Sequence, residues 1–523
     1  MRIRIIIYTL ICILLTGLVD GCVYTPVVPE AEQPSYWPDA EWRTSTPEEQ
    51  GLDSASILSM LQEIQQKDLN IHSVLVVRHG YLVTEVYFPP YSREIKHPVY
   101  SITKSVTSAM TGMAIRDGHI KNIQQPVLDF FPEIAKGTKD KYLRDMTLEH
   151  LLTMSAGFNK GTLPDFAGRD ASFDAVRHIL TYQSVLDKPG ETFYYDSGLP
   201  HVLSTVIQET SGLTLEEYAR LNLFNPLGIS DFSWQSDPQG ITNGSTGLSL
   251  RPQDMAKLGY LYLHNGQWKG KQILPANWVQ ASTTKHVETK GLMNTAEDDG
   301  YGYYWWIDSF GGYSAHGWGG QYVFVLPGLD MIVVFTGSLA DPSFPAPHEL
   351  LKTYLLPAVH SAQALAANPQ IDDQLKTEIK NIQSMEKPAM PLPEIARQIS
   401  GKTYRIVGGQ PAGGPKEFTF TFSGGDTYTN SILMGNGETL TVTGGLKNVF
   451  FMNMLGPEGK TIMPFRGYWQ DERTFIEEQN FDLSSDAQFF TVTYIFDGKK
   501  VLFTVDSSMD SFPTLKGTGE MIE

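Results

Sequence analysis

Ser101-Ile102-Thr103-Lys104 sets a hydroxyl and an amine three positions apart, a little under one helical turn, so on a helix both come to the same face. Val106, Met110, Met113 and Ala114 recur at helical spacing behind them, which predicts a helix from Ser101 to about Asp117, ended by Gly118. A serine hydroxyl is a weak nucleophile until a base takes its proton, and a partly desolvated lysine of lowered pKa can act as that base. The start of a helix also offers unpaired N–H groups to an oxyanion. The same spacing recurs at residues 282–285 and 384–387, but the first lies among threonines and charged residues and the second runs into Pro388. Neither opens an apolar helix.

Two further segments could complete such a site. Residues 189–198 form a turn-rich stretch between helical patterns, the kind of loop that carries a side chain into a cleft. Its Tyr195 is the candidate, because a phenol beside a protonated lysine loses its proton more readily and can serve as general base or acid; packing in an aromatic trio is the competing role. Ala315-His316-Gly317-Trp318-Gly319-Gly320-Gln321 leads into a strand, and its glycines would let a substrate approach backbone N–H groups. A tight strand entry is the alternative there.

With these residues in hand, the chain resembles the serine β-lactamase and penicillin-binding-protein superfamily, in its class C-like branch of esterases, D-amino-acid peptidases and 6-aminohexanoate-dimer-hydrolase-like proteins. Residues 101–104 match the S-x-x-K motif, residues 195–197 fall on Y-x-N, and His316-Gly317 falls on the K-T-G or H-x-G strand. Residues 146–157, 246–259 and 301–306 follow the family too, in family order, over about residues 46–358. The resemblance implies acyl transfer through a covalent serine ester, with Ser101 as nucleophile and Lys104 and Tyr195 sharing its proton. Ser197, His316, Gly317, Trp318 and Gly319 would then hold the substrate or its oxyanion. Ser197 stands where β-lactamases keep an asparagine, and His316 replaces the lysine that meets the substrate carboxylate. These departures favour hydrolysis of a small ester or amide; a non-catalytic sensor on the same fold, or a true β-lactamase or D,D-peptidase, are the other readings.

The elements that must position these groups follow from periodicity. Residues 73–87 read as two β-branched strands joined at His79-Gly80, and residues 322–326 and 331–335 as two more around a Pro327-Gly328 turn. The fold class is α/β (α+β): a β-lactamase-like antiparallel sheet with flanking helices and an all-helical subdomain, closed by its terminal segments. A helical connector is expected over 361–394. Residues 395–523 form an antiparallel barrel or sandwich, with strict alternation at 418–422 and a hairpin around Asp497-Gly498. The hydrolase domain is placed at 46–360. Tyr303, Tyr304, Trp305 and Trp306 are expected in the core, with a cleft wall as the alternative.

Composition narrows the classes. The 523 residues carry 58 acidic against 40 basic side chains, a formal charge of -18, which repels phosphate backbones and disfavours nucleic acid. No H-E-x-x-H pattern supports a catalytic zinc, no G-x-S-x-G marks the common esterase elbow, and no cofactor or metal is expected. Residues 1–21 read as an export signal with a short apolar core, and Cys22 after Gly21 resembles a lipoprotein box. The expected protein is exported and lipid-anchored through Cys22 in a bacterial cell envelope, facing the periplasm. Its body would stand off the membrane on the proline-rich tether 22–45.

Overall fold

The computed structural model describes residues 36–38, 41–166, 168–289, 298–339, 343–384, 390–409, 414–446, 450–455, 461–480, 490–507 and 513–522. The signal segment, Cys22 and most of the Ser384–Lys387 motif lie outside these residues.

The first body is built on a seven-stranded antiparallel sheet. Its strands are β1 (Ile71–Arg78), β2 (Tyr81–Tyr87), β3 (Asp298–Tyr301), β4 (Trp306–Asp308), β5 (Gly312–Gly317), β6 (Gln321–Leu326) and β7 (Met331–Gly337). They run in the order β2-β1-β7-β6-β5-β4-β3, so the first hairpin pairs with the last strand and the body's terminal segments close the sheet as expected. Val74, Val76, Phe324, Val333 and Phe335 face one side; Leu75, Val77, Val323, Val325, Ile332 and Val334 face the other. Both faces are dry, because helices cover each.

On the first side lie α1 (Ser54–Gln66), capped by the Asp53 carboxylate, and later α5 (Ala346–Leu350) and α6 (Pro369–Ser384). On the other lie α2 (Ile102–Arg116), α3 (Leu199–Ser211) and α4 (Pro252–Leu263). Helix α2 is buried all round from Ile102 to Ala114 although it carries serines and threonines. Three of the hydroxyls bond carbonyls instead of water: Thr107 to Gly244 at 2.7 Å, Ser105 to Tyr304 at 2.6 Å, and Thr111 to Thr107 at 2.9 Å. Gly112 is required, since a β-carbon there would stand 2.4 Å from the Trp278 indole.

Within the stretch read as a tether, Tyr36 donates its hydroxyl to the Gly80 carbonyl, and Trp37 packs on Tyr260, His264 and Trp268. That stretch therefore meets the body at the β1–β2 turn and α4. The C-terminal domain is a barrel rather than a sandwich. Its strands are β8 (Thr403–Gly408), β9 (Pro415–Phe422), β10 (Thr427–Met434), β11 (Thr439–Gly445), β12 (Phe451–Leu455), β13 (Thr461–Trp469), β14 (Thr474–Gln479), β15 (Phe490–Asp497), β16 (Lys500–Ser507) and β17 (Leu515–Ile522). A bridge between Gly445 and Arg466 closes β11 on β13, and β12 is added along β13. Aromatic rings including Tyr404, Phe418, Phe420, Phe475 and Phe496 fill it.

Candidate active site

Ser101 occupies the N-cap of α2 with backbone angles already helical, and Tyr100 before it is left-handed, φ 47°. A non-glycine residue in that region is strained by about 1–3 kcal/mol, and such strain collects at functional sites. Met154 (φ 55°) and Tyr304 (φ 62°) share the conformation, and both reach the same neighbourhood. Met154 receives the N–H groups of Tyr194 and Asp196, and Tyr304 receives the Ser105 hydroxyl.

The structure brings three of the sequence candidates together. Lys104 Nζ lies 2.7 Å from Ser101 Oγ and donates to the Ser245 carbonyl at 3.0 Å. The Tyr195 hydroxyl is hydrogen-bonded to Ser101, and Lys104 Nζ stands 5.1 Å from the Tyr195 ring centroid. Lys104 is 1 % exposed, and this burial pushes its amine down to about 7, against the pull of the Asp196 carboxylate toward the charged form. Burial pushes the Tyr195 phenol up to about 12, the Ser101 hydrogen bond opposing it. Of the two groups, the amine near 7 is the more readily deprotonated around neutrality, and the phenol near 12 keeps its proton there.

Asp196 and Ser245 are the residues that sequence reasoning passed over. Asp196 is buried beneath the site and accepts from the Thr162 N–H at 2.9 Å and the Gly198 N–H at 2.8 Å; burial raises its pKa above the ordinary carboxylate value while those donors and Lys104 hold it down. It was visible only as the variable position of the Tyr-x-x segment. The Ser245 carbonyl carries no side-chain signal at all. Ser197 is half-buried beside Asp196.

Residues 317–320 form a turn beside the serine. Gly317 approaches the Val99 carbonyl so closely that a β-carbon would stand 2.3 Å from it. Gly319 and Gly320 have φ of 77° and 91°, which a side chain would strain. The N–H groups of Ser101, Trp318 and Gly319 have no acceptor among the described residues. The buried Gln321 holds the turn by donating its amide to the Trp318 carbonyl at 2.8 Å. Trp318 is 67 % exposed and packs on Phe344.

The structure places the His316 ring among interior side chains. Its Nε2 is 2.7 Å from the Ser314 hydroxyl, its ring stacks on Trp306, and it sits in register with Tyr322. Burial, then the neighbouring His348, holds it well below the usual imidazole pKa, so it is neutral. A neutral, buried imidazole is poorly suited to grip a carboxylate. Tyr303, Tyr304, Trp305 and Trp306 are all core residues, though Trp306 stacks on Tyr195 at 5.8 Å between centroids. The competing motif at Ser282 ends a short helix, its hydroxyl bonded to the Val279 carbonyl and Lys285 paired with Glu288.

The Beta-lactamase family matches residues 60–352, more than half of the chain. This chain belongs to the β-lactamase family. Among its relatives, the 6-aminohexanoate-dimer hydrolase of Paenarthrobacter ureafaciens is 22% identical over 342 residues, covering 61% of this chain and 86% of that protein. Among solved structures, the octameric penicillin-binding protein homologue of Pyrococcus abyssi is 17% identical, with 89% of this chain and 99% of that one covered at a TM-score of 0.48. A family VIII carboxylesterase is 15% identical, with 60% and 98% covered at a TM-score of 0.48. The family is one of serine hydrolases and includes named hydrolases.

Proposed function

We propose that the protein hydrolyses a small ester or amide through a covalent acyl-Ser101 intermediate. The observation that carries this is the Lys104 amine, deprotonable near neutrality and 2.7 Å from the serine oxygen. Neutral Lys104 takes the Ser101 proton as the oxygen attacks the carbonyl carbon. The tetrahedral oxyanion is received by the Ser101 N–H and by one from the 318–319 turn; one such donor is worth about 3–4 kcal/mol in related chemistry. The Tyr195 phenol, hydrogen-bonded to Ser101, passes a proton to the leaving group and is reprotonated from Lys104. Water then attacks the acyl-enzyme by the same route in reverse.

The relative named for hydrolysis of 6-aminohexanoate dimer supports a small substrate of this kind, as does the neutral His316 where a carboxylate-binding lysine would favour β-lactams. The exposed Trp318 in the turn offers an apolar platform for the acyl or leaving group. We read residues 1–22 as export and lipid anchorage through Cys22, which would set this chemistry at a membrane surface.

The decisive experiment exposes the full chain to a fluorophosphonate and reads the intact mass. One added label, absent in Ser101→Ala and in Lys104→Ala, is expected; an unlabelled wild type would point to a binding module instead. A panel of p-nitrophenyl esters, D-amino-acid amides and nitrocefin then ranks the substrates, with esters or amides ahead of nitrocefin.

A further inference from the structure

Behind the strand that carries the 317–320 turn, three elements bring ligand-type side chains together in the dry interior. Asp308 ends β4, His316 lies on β5 and His348 on α5, and all three are buried. One donor atom from each lies within 4.8 Å of the others. Asp308 Oδ1 and His348 Nε2 are 3.6 Å apart. Ligand atoms held tetrahedrally about 2.0–2.1 Å from a zinc ion are about 3.4 Å from one another, so this edge already has nearly the right length.

The hydrogen bonding leaves imidazole lone pairs unused. The Ser314 hydroxyl donates to Asp308 Oδ2 at 2.7 Å and stands 2.7 Å from His316 Nε2. A hydroxyl has one proton; with that proton on Asp308, Ser314 accepts the Nε2–H of His316, which leaves Nδ1 as the lone-pair nitrogen. That Nδ1 and both ring nitrogens of His348 are buried without a hydrogen-bond partner among the described residues. Buried imidazole nitrogens are ordinarily satisfied, so the His316 Nδ1 and a ring nitrogen of His348 call for a missing partner. A serine that orients both a carboxylate and a histidine is the outer support that metal ligands usually have. Aromatic rings wall the group: Trp306 stacks on His316, while Tyr322 and Phe324 meet His348 edge-on at 5.1 and 5.0 Å.

We propose that Asp308, His316 and His348 bind one divalent transition-metal cation, zinc foremost, tying the edge of the sheet to α5. Two imidazoles and a single carboxylate suit zinc and its neighbours, whereas magnesium and calcium want more oxygen ligands. The site is separate from the serine chemistry and does not depend on it. It bears on that chemistry mechanically: His316 leads directly into the 317–320 turn, and its ring stacks on Trp306, which stacks on Tyr195.

The test uses the full chain, stripped with a chelator, re-equilibrated with zinc chloride and desalted, with metal content read by mass spectrometry and melting followed in parallel. One zinc per chain is expected, with a rise in Tm that saturates at one equivalent. Ser314→Ala should weaken zinc binding about 10–100-fold and His348→Gln should abolish it. A wild type that retains no zinc and shows no change in melting overturns the proposal, whatever becomes of the variants. Equal zinc retention by a folded His348→Gln protein overturns it as well, since the ion would then lie elsewhere.

Discussion

Gln321 and Gly337 are joined by two reciprocal hydrogen bonds, the side-chain amide donating to the Gly337 carbonyl at 2.6 Å and the Gly337 N–H donating back to Oε1 at 3.1 Å. A side chain thus imitates a strand neighbour and, with its bond to the Trp318 carbonyl, fixes the turn beside Ser101. Gln321→Ala frees that turn without removing any group that would touch substrate. The expected result is a fall in kcat of about 10–100-fold with KM little changed, measured by steady-state kinetics on the best ester.

The pH dependence of activity follows from Lys104. Its amine must be neutral to act as base, and burial has brought it down to about 7. Single-turnover acylation should therefore rise with pH through about 7 and stay flat well above, because Tyr195 keeps its proton until about 12. A rate that falls through neutrality, or a limb near the ordinary lysine range, would contradict the assignment of the base.

Asp196 favours the charged form of Lys104. Asp196→Asn keeps an oxygen for the Thr162 and Gly198 N–H groups and an amide for the Thr162 hydroxyl, but removes the charge. The rising limb should then move to lower pH, read from the same acylation profile. No movement would mean that Asp196 acts on the loop alone.

Stability should carry the mark of the same amine. An exposed lysine titrates near 10.4, and Lys104 titrates near 7 in the fold, so between these values the unfolded chain holds a proton the folded chain lacks. Stability from this group therefore rises with pH from about 7 toward 10, and its penalty is full below 7. Lys104→Met should be inactive yet more stable at pH 6 by a few kcal/mol, at ~1.4 kcal/mol per pKa unit, with the gain shrinking by pH 9. Urea denaturation at the two pH values measures it.

Trp318 is the solvent-facing side chain of the 317–320 turn. Trp318→Ala should raise KM for esters with long apolar acyl chains several-fold and leave acetyl esters nearly unchanged, as seen by comparing the two substrate series.

The sequence by itself determined what is local. Serine and lysine three apart on a helix meet whatever surrounds them, and period-two alternation marks a strand before its partners are known; hence α2, the β1–β2 hairpin, the β6–β7 pair and the β15–β16 hairpin were legible. Tyr195 was reached through its loop and the family resemblance, not through any period. The tertiary structure decided the rest. The Ser245 carbonyl reaches Lys104 from 141 residues away, the Gln321 clamp spans two strands, and Asp308, His316 and His348 converge from two strands and a helix with no common motif. The lysine's acidity also belongs to the fold: it is lowered because the packed residues around α2 exclude water, a property summed over the whole core and written in no single residue.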